Sequence, residues 1–68
     1  MNVLVNGENM ALKTGTTVAD VVVRSGREPS GRGVAVALNG EVVPRDEWPI
    51  REVSERDTVE VLAAIGGG

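Results

Sequence analysis

Sixty-eight residues, 41% hydrophobic and 25% charged, make a chain of one-domain size whose small core must use nearly every Val, Leu, Ile and Met it has. The formal charge is −3, with one aromatic residue and no basic run; this argues against nucleic acid as a partner and suits an encounter with a basic protein surface. The absence of Cys and His removes disulfides, intrinsic thiol chemistry, Ser-His and Cys-His nucleophilic pairs, and both favoured zinc ligands.

The opening "MNVLVNGENMAL" predicts a hairpin: Val3 and Val5 alternate with outward positions, Asn6-Gly7 supplies the positive φ angles of a tight turn, and Met10 and Leu12 resume the apolar side. "TTVADVVVRSG" carries helix punctuation. Thr17 and Asp20 form a T-x-x-D capping box, Val18, Val21, Val22 and Ser25 share one helical face, and Gly26 suits the residue after the last turn. "REPSGRG" is a loop. "VAVAL" is an unbroken apolar run too short for a helix, and it predicts a central strand covered on much of both faces. Asn39-Gly40 marks a second hairpin, Pro44 ends its returning strand, and residues 45–48 form one short helical turn. "TVEVLA" is a final strand with Val59, Val61 and Ala63 on one side. The order strand, strand, helix, strand, strand, strand suits one helix laid across a mixed sheet in which the last strand runs parallel to the first. That is an α+β, β-grasp (ubiquitin-like) domain over residues 1–65, with a flexible C-terminal glycine tail at 66–68. With no membrane span and no signal peptide in the sequence, a cytoplasmic location is expected.

Few motifs here carry chemistry of their own. "GRG" is only a fragment of a phosphate-loop pattern, and the acidic pairs Asp46-Glu47 and Glu55/Asp57 read as solvated turn charges. No self-sufficient enzyme is expected. The tail is different. "GGG" buries nothing and loses the most freedom on ordering, so it serves no fold; a frayed terminus is its plain explanation. Its functional explanation is a carboxylate that enters another protein's active site, because a narrow channel admits backbone where no Cβ intervenes. Three extended glycines reach about 10 Å. A carboxylate acylates poorly until it is converted to an acyl-adenylate, and any sulfur nucleophile has to come from outside a chain without Cys. Trp48 is read first as a core anchor and second as a partner contact, and Arg45 as a solvated charge or a partner contact. Leu62 and Ile65, at the root of the tail, are either core residues or an apolar docking patch. Lys13, the sole lysine, carries no expected role.

"VNGE" at 5–8, "TTVADVV" at 16–22 and above all "GVAVALNGEVVPRDEW" at 33–48, with the Gly-Gly ending, resemble the ThiS family of sulfur carriers in bacterial thiamine (thiazole) biosynthesis over essentially the whole chain. The family commonly has a larger residue where Gly66 stands, so the tail departs from the pattern there. The resemblance implies that an E1-like adenylyltransferase (ThiF-type) activates the Gly68 carboxylate with ATP and Mg²⁺. Sulfur from a persulfide donor then leaves a thiocarboxylate on Gly68, and thiazole synthase (ThiG-type) takes that sulfur while Gly66 and Gly67 thread its channel. The chain is then a protein co-substrate without a permanent cofactor or metal. Two alternatives stay open: a molybdopterin-synthase small-subunit type of carrier, and a ubiquitin-like protein modifier or interaction module.

Overall fold

Asn6 and Gly7 take φ of 50° and 84°, and Asn39 and Gly40 take 52° and 86°. Two successive left-handed residues match the twist of the strands they join, so each pair closes a two-residue hairpin. The first joins β1 (Asn2–Val5) to β2 (Glu8–Ala11), with Val3 opposite Met10. The second joins β3 (Val34–Leu38) to β4 (Glu41–Val42). The computed structural model describes residues 1–26 and 33–63. Most of the loop "REPSGRG", together with Ile65, Gly66, Gly67 and Gly68, lies outside the described residues.

Helix α1 (Val18–Arg24) spans only seven residues, too few to stand alone in water. The Thr17 hydroxyl accepts the Asp20 N–H at 3.2 Å, and the Asp20 carboxylate accepts the Thr17 N–H at 3.0 Å, closing the expected capping box. The other free N–H groups of the first turn reach the returning chain: Val18 donates to the Arg51 carbonyl at 2.8 Å and Ala19 to that of Trp48 at 3.0 Å. Four valines lower helix propensity by up to about 0.7 kcal/mol each. Val18, Val21 and Val22 are fully buried, which returns about 1.5 kcal/mol or more apiece, so packing decides the conformation. Gly26, at φ 87°, ends the helix as its sequence position predicts.

A single 3₁₀ turn (Arg45–Glu47) follows Pro44. Strand β5 (Thr58–Ala63) then enters the middle of a five-stranded sheet of order β2-β1-β5-β3-β4. It runs parallel to β1 and antiparallel to β3, with Val59 beside both Val5 and Leu38. This is the β-grasp arrangement that the element order predicts. The core gathers Val3, Val5, Val36, Leu38, Val59 and Val61 from the sheet and the three valines of α1, closed by Leu12, Val43, Trp48 and Val53.

One expectation is corrected. The run at 34–38 predicts a strand covered on much of both faces, yet only one face of β3 is covered: Val36 and Leu38 are buried, Ala37 is half-buried and Ala35 is exposed. The described chain offers one seven-residue helix, enough for one side of the sheet. Alanine has a small apolar surface, so leaving it in water costs little.

Candidate functional site

The central position of β5 decides what the root of the tail looks like. Alternation along the strand sends Val59 and Val61 into the core and Thr58, Glu60 and Leu62 to the open face. On that face Leu62 stands beside Ala35, and Glu60 stands beside Ala37, which in turn faces Val42. Leu62 is 64% exposed and Val42 76%, so the open face carries an apolar strip with one carboxylate in it. A shallow notch of about 300 Å³ lies at its end, lined by Gly33, Val34, Ala35, Leu62 and Ala63. The notch lies at the C-terminal end of β5, where Ala63 is the last described residue.

Asparagine side chains from the two hairpins clasp β5 on either flank. Strand β1 turns away at Asn6 while β5 continues, which would leave the Val61 backbone without a neighbour on that side. Asn6 fills the gap: its Oδ1 accepts the Val61 N–H at 2.8 Å and its Nδ2 donates to the Val61 carbonyl at 3.1 Å. Across the strand, the Asn39 Oδ1 accepts the Thr58 N–H at 2.9 Å and its Nδ2 donates to the Asp57 carboxylate at 3.0 Å. Sequence reasoning assigned both asparagines to turns alone. The repeated "NGE" after each strand was the only signal available, and it does not say what an amide side chain reaches.

The remaining candidates sit elsewhere. Trp48 is 3% exposed and its indole N–H donates to the Val43 carbonyl at 3.0 Å, which makes it a core anchor. Arg45 is exposed, with its guanidinium carbon 5.7 Å from the centre of the Trp48 ring. Trp48 belongs to the helix-covered side of the sheet and Leu62 to the open side, so the structure does not bring them together. Among the described residues no cluster of His, Cys, Asp or Glu has metal-binding geometry, and no helix is long and apolar enough to cross a membrane.

A single capped helix under a mixed sheet, with the last strand central and an open apolar face at its exit, defines a small β-grasp domain of the ubiquitin-like kind. The ThiS family model matches residues 3–68, and the chain belongs to that family. It is 29% identical over 68 residues to the sulfur carrier protein ThiS of Escherichia coli K12, with both chains covered completely. It is 34% identical to a thiazole synthase of Paramagnetospirillum magneticum, of which it spans only one fifth (20%). The crystal structure of the thiamine biosynthesis protein ThiS from Geobacter metallireducens matches with a TM-score of 0.76 at 31% identity, both chains fully covered. A solution structure from the same organism gives a TM-score of 0.77 and is covered to 88%.

Proposed function

We propose that Gly68 is the working residue of this sulfur carrier of thiamine biosynthesis, with residues 1–65 serving as the address and 66–68 as the tail. An E1-like activating enzyme joins the Gly68 carboxylate to the α-phosphate of ATP, with Mg²⁺ present, and pyrophosphate leaves. The outer sulfur of a persulfide attacks the acyl-adenylate and displaces AMP, forming an acyl disulfide; a thiol from outside this chain, which has no Cys, then reduces the S–S bond and frees the Gly68 thiocarboxylate. Thiazole synthase then accepts the tail and takes the sulfur into its product, while an oxygen atom from water or from that enzyme's other substrate replaces the sulfur and restores the Gly68 carboxylate. The supporting observation is that the family match runs through Gly68 itself, in a chain that holds no Cys or His to do chemistry of its own.

The physical division of labour follows from the fold. The five residues beyond Ala63 span at most about 18 Å when extended, so the domain has to dock close to the partner's reacting centre. The apolar strip of Leu62, Ala35 and Val42, with Ile65 next along the chain, is the docking surface in this reading, and docking raises the effective concentration of the tip in the active site. Similarity to part of a thiazole synthase supports that enzyme as one of the partners. Gly66 and Gly67 present no side chain to the channel.

Incubation with the activating enzyme, ATP, Mg²⁺ and a persulfide donor tests the proposal. Intact mass spectrometry is expected to show one oxygen of the C-terminal glycine replaced by sulfur, and removal of Gly68 is expected to abolish charging while the fold persists. Full charging of the shortened chain refutes the role of Gly68. Conjugates on lysines of other proteins would instead identify a modifier.

A further inference from the structure

A groove of about 630 Å³ runs between the outer edge of β2 and helix α1, with Ala11, Leu12 and Val23 giving it an apolar lining and Lys13, Asp20 and Arg24 giving it charge. Strand β2 is at the edge of the sheet. Met1 and Leu12 exchange two backbone hydrogen bonds, each 2.8 Å. By the alternation of an antiparallel ladder, Met10 and Glu8 also bond inward to β1, so Asn9 and Ala11 turn their N–H and C=O groups outward along the groove. Val23 is half exposed beside them. Among the described residues the ion pair formed is Arg51 with Glu47, and no described acidic side chain lies within 4.0 Å of Lys13 or Arg24. Asp20 commits its carboxylate to the Thr17 N–H.

We propose that this groove binds an extended acidic segment of a partner protein. The segment adds to β2 as a further strand and sets its carboxylates against Lys13 and Arg24, with its alternate apolar side chains over Val23. Strand addition supplies affinity that does not depend on sequence; the two cations supply the preference. A second copy of this chain fits less well. Lys13 bonds outward and Glu8 inward, so no hydrogen-bonded antiparallel register of β2 on β2 sets these two opposite each other, and two chains of charge −3 repel. The site is separated from β5 by β1, so it can be occupied while the tail is engaged; it goes beyond the sulfur-carrier reading and does not rest on it.

The test is titration of the isotope-labelled full chain with a terminally blocked Val-Glu-Val-Glu-Val-Glu peptide, followed by amide NMR. Saturable shifts confined to β2, α1 and the turn between them are expected, with slowed exchange at the Asn9 and Ala11 amides and weakening as salt rises. Lys13→Glu combined with Arg24→Glu is expected to lower affinity about tenfold. Ala11→Pro removes one outward N–H and leaves the β1 ladder intact, and it too is expected to weaken binding. Equal binding of the Val-Lys counterpart, shifts centred on Leu62 and Ala35, or no saturable shift at all would each overturn the proposal. So would β2 shifts that follow protein concentration without peptide, which would assign the edge to a second copy.

Discussion

The Asn6 side chain lies along the Val61 backbone and supplies both a donor and an acceptor to it, at 3.1 and 2.8 Å. Two variants separate this clasp from the turn that Asn6 also makes. Asn6→Gly keeps the positive φ and loses only the two bonds, so urea unfolding is expected to show a loss of about 1 kcal/mol. Asn6→Ala adds the strain of a Cβ in the left-handed region, for a total of about 2 kcal/mol. A neutral Asn6→Gly variant would mean that water satisfies Val61 equally well. Trp48→Phe leaves the Val43 carbonyl buried without its 3.0 Å donor and vacates part of the ring's volume; thermal unfolding by circular dichroism is expected to show a loss of about 1–3 kcal/mol. The turn role of Asn6 was legible because Asn-Gly is a local signal. Its second role was not, because the partner lies 55 residues further along the chain.

At the scale of an element, α1 is a helix held by its ends and one face. Its boundaries were legible because the Thr17/Asp20 box and Gly26 are local chemistry, whereas its seven residues include four valines that favour strands. Thr17→Ala removes the hydroxyl that accepts the Asp20 N–H and is expected to cost about 1 kcal/mol by urea unfolding. Loss of that cap should also speed amide exchange first in α1 and not in β5, since the helix's first turn is tied to the chain at Trp48 and Arg51 by the Ala19 and Val18 N–H groups, whereas β5 is paired on both sides. The sidedness of β3 was not legible. An alternation of Val and Ala is apolar throughout, and hydropathy does not tell a covered face from one left open. Nor did "SERD" announce that Arg56 takes φ 68° in the turn leading to β5, a conformation in which glycine or asparagine is the usual sequence cue.

On the scale of the whole molecule, the sheet divides the protein into a side that makes the fold and an open side, to which the proposed function assigns docking. Val61 and Leu62 are neighbours in the chain and belong to opposite sides: the first is 2% exposed, the second 64%. Substitution of Leu62 therefore tests docking without testing folding. Leu62→Asp puts a charge among Ala35, Ala37 and Val42 on a surface already in water, and its effect on stability is expected to stay within about 0.5 kcal/mol. A desolvated apolar anchor lost from a docking surface raises the concentration of carrier the enzyme needs and leaves the chemistry of the tip alone. Charging by the activating enzyme is thus expected to show KM raised about tenfold with kcat little changed. The opposite pattern, kcat lowered at constant KM, would place Leu62 in the geometry of the tail and not in docking. An unchanged rate at all carrier concentrations would move the docking surface off the open face altogether.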